Sequence, residues 1–321
     1  MTATARQGVV YLIDASYFIF RAWYSMPADM VDAEGNPTHA LYGFARFLSD
    51  LLESVRPERI GVAFDTSLRD ETSFRNRIYP AYKANRESPP EDLARQFGLC
   101  REFCRYLGLA EYAHREYEAD DIIGTLAARA RAAGLRSVLV TRDKDLSQLV
   151  RDGDVFWDYT ANARYHYHDI GPRFGVRPER FADFLALTGD AVDNIPGVPG
   201  IGRKTACELL NAFESLDDLY AGLDRVAGLK LRGAAGVAAR LAAHRDTAYL
   251  ARRLTGICCD IPLEASLDDL KPRLPDRTSL ERFFDAQGFG RALRMQAERI
   301  AAARAPAPVP SSRHVATLRS S

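Results

Sequence analysis

Val9–Ser16 reads VVYLIDAS, a short apolar run closed by an acid and two small residues. The run reads as a strand, and Asp14 stands where that strand gives way to a helix or loop. The pattern returns at Ile60–Asp65 (IGVAFD) and at Ser137–Thr141, which leads into Asp143 and Asp145 in LVTRDKD. Helical patterns fill roughly 40–55, 93–107 and 118–133 between and after these runs, so strand and helix alternate. That alternation predicts an α/β fold around a mostly parallel sheet. Ligands of such sheets bind beyond the carboxyl ends of the strands, which is where Asp14, Asp65 and Asp143 lie.

Nine acids fall in five such clusters: Asp14, Asp65, the run Glu118, Asp120 and Asp121, the pair Asp143 and Asp145, and the pair Asp190 and Asp193 in GDAVDNIPG. Carboxylates gathered at strand ends repel one another and raise each other's pKa unless a hard cation sits among them. Two such cations are the usual equipment for phosphodiester hydrolysis. Taken singly, each acid is equally an N-cap or a turn residue, Asp14 before AS and Asp145 before LSQLV above all. The combination points to a basin for metal ions. Glu118, Asp120 and Asp121 open a helix whose apolar positions are Ile122, Ile123, Leu126 and Ala127, so at least one acid points away from the core.

Lys+Arg number 43 and Asp+Glu 43, so overall charge neither demands nor excludes nucleic acid, and any basic surface must be local. Five cysteines, Cys100, Cys104, Cys207, Cys258 and Cys259, have no zinc-like spacing and suit a reducing cytoplasm. No run approaches the roughly 20 apolar residues of a membrane span, so a cytoplasmic chain without membrane contact is expected.

The α/β region is expected to occupy 1–170. Beyond it, helical segments around 178–188, 203–212, 232–243 and 246–254 are separated by turns rich in Gly and Pro, which predicts a helical subdomain over 171–300. Residues 301–321, rich in Ala, Pro and Ser and without apolar period, are expected to be a disordered tail. The His166 and His168 pair falls in a stretch, Tyr165–His168, that reads as a strand with rings on alternate faces.

Two further stretches bear on function. FRNRIYPAYKANRESPPEDL sets Arg75, Arg77, Lys83 and Arg86 among Phe74, Tyr79 and Tyr82. Cations beside rings suit a single strand, whose phosphates and bases they can meet; solvated charges on a surface helix give the same composition. IPGVPGIGRKTA carries Gly197, Gly200 and Gly202 into a helix beginning near Arg203 and Lys204. Small residues there let a phosphodiester backbone approach the helix N-terminus, although a plain Gly-rich helical hairpin has similar features.

Six motifs, LIDASYFIFRA, VAFD, FRNRIYPAYKANR, YEADDIIGTLA, TRDKDLSQLV and GDAVDNIPGVPGIGRKTA, are similar in order and spacing to the 5′ nuclease domain of bacterial DNA polymerase I and the related flap endonucleases. The resemblance runs from about Val9 to Leu293. It implies a PIN-like or resolvase-like sheet with a helical arch near 70–95 and a helix-three-turn-helix near 185–215. It implies a 5′-3′ exonuclease and flap endonuclease acting where a 5′ single strand or 5′ end meets duplex DNA. Asp14, Asp65, Glu118 and Asp120, with Asp121 close by, match the ligands of a first Mg2+, for which Mn2+ substitutes; Asp143, Asp145, Asp190 and Asp193 match those of a second. Lys83 and Arg86, beside Arg75 and Tyr82, match basic residues of the arch, and Lys83, Arg86 and Asp120 are the expected catalytic residues. Gly197, Gly200, Gly202, Arg203 and Lys204 match the duplex-gripping hairpin, whose carbonyls can also hold K+. A monomer is expected, and cooperation with a separate DNA polymerase stays open. The chain departs from the family at Arg142 and His39, where Gly is frequent, and neither change removes a ligand. Two other classes keep a place: a branched-DNA-binding module without catalysis, for which one carboxylate should be missing, and an RNA-cleaving PIN-type nuclease, for which the hairpin should be missing.

Overall fold

The computed structural model describes residues 8–66 and 73–305. Its first half runs β1 (Val9–Asp14), α1 (Ala15–Ser25), α2 (His39–Val55), β2 (Ile60–Asp65), α3 (Phe74–Ile78), α4 (Glu91–Tyr106), β3 (Ala110–His114), α5 (Ala119–Ala132), β4 (Arg136–Val140), a 3₁₀ segment Lys144–Leu149, β5 (Val155–Asp158) and β6 (Ala163–His166). Helices follow: α6 (Tyr167–Phe174), α7 (Phe181–Thr188), α8 (Arg203–Ala212), α9 (Leu216–Ala221), α10 (Leu223–Val226), α11 (Ala234–Ala243), α12 (Arg245–Thr255), α13 (Arg277–Ala286) and α14 (Arg291–Arg304).

The strands form one sheet in the order β3-β2-β1-β4-β5-β6, parallel throughout except for the β5–β6 hairpin at one edge. Side chains on a strand alternate between faces. Val10 and Leu12 of β1 therefore join Ile122, Ile123 and Leu126 of α5 on one face, while Ile13 joins α1, α2 and α4 on the other. Helix α2 buries Leu41, Phe44, Ala45, Leu48 and Leu52, one stripe at helical spacing. Each of its leucines and Phe44 stabilises the fold by about 1.5–3 kcal/mol. After β3 the chain returns to the other side of β1 to lay down β4, so the strand order reverses between these two neighbours, and α/β sheets open a crevice at such a switch point. Asp14 and Thr141 end up side by side there.

The helices α7, α8, α11 and α12 bury a second core of Phe181, Leu185, Leu209, Leu241 and Leu254, which Tyr82 also enters. The long helical patterns after 170 thus form their own layer, as expected. The division at 300 differs: α13 and α14 leave that layer, and Leu280, Phe284, Leu293 and Ile300 pack on the α/β core with α2 and α4. The tail begins later than expected, because 301–304 complete α14; residues 306–321 lie outside the described residues. The stretch 70–95, expected as a helical arch, consists in its described part of the short α3, a run of turns over 79–85 and the first turn of α4, while 67–72 lie outside the described residues. Tyr165–His168 is a strand only to His166, and His168 belongs to α6. Among the described residues no helix is long and apolar enough to cross a membrane.

Candidate active site

A cleft of about 600 Å³ opens at the carboxyl edge of the sheet, lined by Asp14, Asp65, Glu118, Asp120, Asp143, Asp145 and Asp193 among others, with Lys83, Arg86, Arg142 and Lys144 around them. Each acid arrives on a different structural device. Asp14 ends β1 and caps α1, accepting from the Tyr17 N–H at 3.1 Å, and its other oxygen accepts from Thr141 Oγ1 at 2.8 Å. Asp65 ends β2 and accepts from the Ala119 N–H at the start of α5 at 2.8 Å, and Ser16 Oγ accepts from the Asp65 N–H at 3.1 Å. Asp143 caps the 3₁₀ segment through the Asp145 N–H at 2.9 Å. The capping reading and the site reading therefore hold together at Asp14, and the cap in DKD is Asp143 rather than Asp145.

Glu118 and Asp121 cap α5 reciprocally. Their surroundings then diverge. Asp121 is fully buried, salt-bridged to Arg75 at 2.7 and 2.9 Å, and also accepts from the N–H groups of Glu118 and Cys258. Arg75, expected on a DNA-facing surface, is only 3% exposed and spends its remaining donors on the carbonyls of Leu254 and Gly256. These two residues form an internal strut from α3 through α5 to the end of α12. Asp121 has no oxygen left for the cleft, which sets it apart from the other eight acids.

Glu118 faces the cleft and accepts from Lys83 Nζ at 2.7 Å and from the Tyr82 hydroxyl at 3.1 Å, with Arg75 3.7 Å away. Burial works against its charge, but Lys83 and Arg75 overcome it and hold the Glu118 carboxyl down to about 2. Lys83 has a positive φ of 55° in the turn, and its N–H donates to the Asp193 carbonyl at 2.9 Å. Arg86 pairs with Asp193, Asn85 donates to the Ala191 carbonyl and Asn194 to the Ala81 carbonyl. The turn around Lys83 is thereby fastened to the Asp190–Asp193 loop of the helical layer.

The other corner is compensated at Asp145 and Asp190 alone, by Lys144. Burial, then the charges of Asp65 and Asp143, push Asp14 up to about 7; burial and Asp143 do the same to Asp145. Asp120 is raised further, by burial and then by Asp143, Asp14, Glu118 and Asp65. Asp65 is raised by burial and Glu118. Asp190 stands across from Asp145, with Lys144 Nζ 3.0 Å from each.

The donor set is one of hard carboxylate oxygens, the chemistry that Mg2+ and Mn2+ select. Asp145 Oδ1 is buried, and what stands beside it is the Lys144 ammonium, 3.0 Å away. Among the described residues no three acids are drawn tightly around one point, so the carboxylates ring the cleft rather than forming a closed cage.

At the loop 189–202 between α7 and α8 the glycines differ in reason. A side chain on Gly197 would strike the backbone of Thr188 and Gly189 at 2.3 and 2.4 Å, so Gly197 serves internal packing, and Gly200 supplies a φ of 73°. Gly202 alone of the three faces open space, at the N-terminus of α8. Lys204 is exposed, whereas Arg203 donates to the Phe174 carbonyl at 2.8 Å.

This sheet, cleft and helical layer have relatives. Residues 9–175 match the 5'-3' exonuclease, N-terminal resolvase-like domain, and 176–278 match the 5'-3' exonuclease, C-terminal SAM fold. The chain belongs to the 5′-3′ exonuclease family. DNA polymerase I of Bacillus caldotenax is 38% identical over 283 residues, covering 87% of this chain and 31% of that protein; its Pseudomonas aeruginosa counterpart is 39% identical over 275 residues, covering 85% and 30%. The chain thus spans about a third of the length of these curated relatives. Among solved structures, the T5 5′-exonuclease with bound zinc superposes with a TM-score of 0.64 at 19% identity, covering 91% of this chain and 98% of that one. The catalytic core of Rad2 with DNA substrate gives 0.59 at 15%, covering 92% and 91%. This exonuclease family accounts for both layers, since the two matches meet at 175/176, just before α7.

The sequence reading missed Lys144, Thr141 and Ser16. The two hydroxyls each stand two residues from an acid near a strand end, a signal visible only once the strands are paired. Lys144 sits in plain view between two acids, and only the approach of Asp190 from the helical layer gives it a role.

Proposed function

We propose that this chain is a divalent-metal-dependent 5′-3′ exonuclease and structure-specific 5′ flap endonuclease that hydrolyses DNA where a 5′ single strand meets duplex. One observation carries the reading: six acids from β1, β2, the start of α5 and the 3₁₀ segment ring one cleft at the sheet's switch point, beside the cations Lys83 and Arg86. Asp14, Asp65, Glu118 and Asp120 would hold one Mg2+, and Asp143, Asp145, Asp190 and Asp193 a second, with Mn2+ able to replace either. Bound there, the ions supply activation of water and stabilisation of charge on the phosphoryl oxygens.

The protein's own side chains do the rest. Lys83 and Arg86, now paired with Glu118 and Asp193, are the cations in reach of an entering phosphate, and exchange of carboxylate for phosphate positions the strand. Asp14 and Asp65 are fixed by hydrogen bonds to neighbouring elements, which keeps the ligand set in place before substrate arrives. Gly202 and Lys204 offer the N-terminus of α8 to duplex backbone, and the carbonyls of the same loop are the candidate seat for K+. Relatives that carry this stretch are DNA polymerases, so a polymerase is the natural consumer of the ends produced; we read the chain itself as a monomer.

The test is cleavage of a 5′-labelled flap duplex beside blunt duplex and single strand, with Mg2+ and then with EDTA. Cuts at the junction that need Mg2+ support the reading. Tight binding of the flap without cleavage, even with Mn2+, would convert it to a binding module.

A further inference from the structure

Like Lys83 and Arg86, Lys144 is a cation that joins the two layers across the cleft, and nothing in the cleavage scheme employs it. Its Nζ donates to Asp190 Oδ2 at 3.0 Å and stands 3.0 Å from Asp145 Oδ1. Asp145 belongs to the 3₁₀ segment of the α/β layer and Asp190 to the loop after α7, so the ammonium staples one layer to the other. The remaining oxygen of Asp190 is already taken: its Oδ1 accepts from the Val192 N–H at 2.8 Å. Oδ2 of Asp190 and Oδ1 of Asp145 are therefore the two oxygens turned toward a shared cation, and at present that cation is an amino acid side chain. The Asp190 carboxylate is 9% exposed while the Lys144 side chain is 47% exposed, so the ammonium can swing to solvent on its flexible stem while the acids stay put.

We propose that Lys144 is a positioning residue that acts as a place-holding cation: it keeps Asp145 and Asp190 facing each other until a divalent ion takes the same oxygens and displaces it. The inference rests on the reading of these acids as ion ligands. Loading of this half of the site is then an exchange of one cation for another. The metal-free protein is spared the repulsion of two facing carboxylates, and the ion binds less tightly than the carboxylates alone would allow.

Titration of the full chain with Mn2+, without DNA, tests this, reading free Mn2+ by electron paramagnetic resonance for wild type, Lys144→Met and Lys144→Arg. Melting in EDTA and in Mn2+ is measured alongside. Lys144→Met should tighten the weaker Mn2+ binding event by at least about five-fold, because the ion no longer has to displace an ammonium that already holds both oxygens. It should also lower the melting temperature in EDTA and widen the gain on adding Mn2+. Lys144→Arg, which keeps the charge, should stay near wild type in affinity. Unchanged or weaker Mn2+ binding by Lys144→Met overturns the proposal, even if stability falls. Wild-type protein that takes up no Mn2+ overturns the ligand reading itself, a different failure recognisable before any variant is compared.

Discussion

Glu118 and Asp120 sit two residues apart at the start of one helix, yet the protein treats their charges in opposite ways. Around Glu118 the fold has installed its own cations, Lys83 and Arg75, and the carboxyl is held down to about 2. Around Asp120 the charges that act most strongly are those of Asp143, Asp14, Glu118 and Asp65, all acids, and the carboxyl is pushed well up after burial has already raised it. One corner of the cleft is electrostatically complete as it stands, and in the other Lys144 reaches only Asp145 and Asp190, leaving the charges of Asp14, Asp120 and Asp143 set against one another. A protein gains nothing in stability from the second arrangement, so its presence marks a site under functional demand. The comparison also separates residues that hold the corner together from those that do chemistry in it.

The largest effect is expected at Asp120. Asp120→Ala removes the most strained carboxylate, so cleavage should fall by about 10²-fold or more while flap binding through Lys83, Arg86 and the α8 N-terminus stays nearly intact. Metal-free protein should become more stable, since a repelled charge is gone. Turnover above a few per cent of wild type in a flap assay would show that Asp120 belongs with the passive carboxylates.

Arg75→Met probes the other corner from behind. It breaks a buried ion pair with Asp121 and should cost roughly 3–5 kcal/mol of stability in denaturant unfolding, because Asp121 is left charged and enclosed. A cost below about 1 kcal/mol, the level of an exposed pair, would mean that the strut is ornamental. Lys83→Ala is milder for the fold and harsher for catalysis: turnover should drop far more than flap affinity, since one phosphate contact among many contributes little to binding. Equal losses in the two would make Lys83 a grip and nothing more.

The two corners should also respond to pH with opposite sign. Asp14 and Asp145 titrate near 7 when folded and near 3.8 when unfolded, so between these values the folded state holds protons that the unfolded state has released. Stability without metal therefore falls as pH rises through that window, by up to about 1.4 kcal/mol per pH unit for each group. Glu118 works the other way: its contribution is present above its ordinary 4.5 and is lost as pH falls toward about 2. Melting in EDTA and in Mg2+ at pH 5.5 and 8 checks this. The gain from Mg2+ should be larger at pH 8, and an equal gain at both would show that Asp14 and Asp145 do not bear on metal binding.

Much of this contrast was legible in the sequence, and what escaped has a physical reason. The strands ending in Asp14 and Asp65 and the helix opening at Glu118 announced themselves through apolar runs closed by acids, and motif order named the family. Burial did not announce itself. Arg75 and Arg77 lie on the same turn of α3 with the same charge, but only Arg75 turns inward, because Asp121 waits there from a helix some forty residues on; Arg77 pairs with Glu116 at the surface. Asp120 and Asp121 are likewise adjacent and identical in type. A helix turn of 100° sends one to the cleft and the other to the strut, and a linear reading grouped them together. The short strands β3 and β5 were missed because four or five residues supply too little periodicity, and α13 and α14 were placed with the wrong core because helical pattern does not say which layer a helix returns to.

Arg142 offers the finest test of the asymmetry, since it adds a second cation to the corner where Lys144 reaches only Asp145 and Asp190. Its guanidinium lies 3.6 Å from Asp158 and beside Tyr17 at the rim of the cleft, 63% exposed, so it stands near the acids without pairing with them. A cation so placed weakens the attraction of the basin for a metal ion through solvent, which screens most of its effect. Arg142→Gly should therefore tighten Mn2+ binding by no more than about two- to three-fold and leave folding stability within about 0.5 kcal/mol. It should also weaken flap binding slightly at low salt, because one exposed positive charge near the strand is lost. A ten-fold change in turnover with metal affinity unmoved would instead make Arg142 a direct phosphate contact, a second cation of this corner beside Lys144.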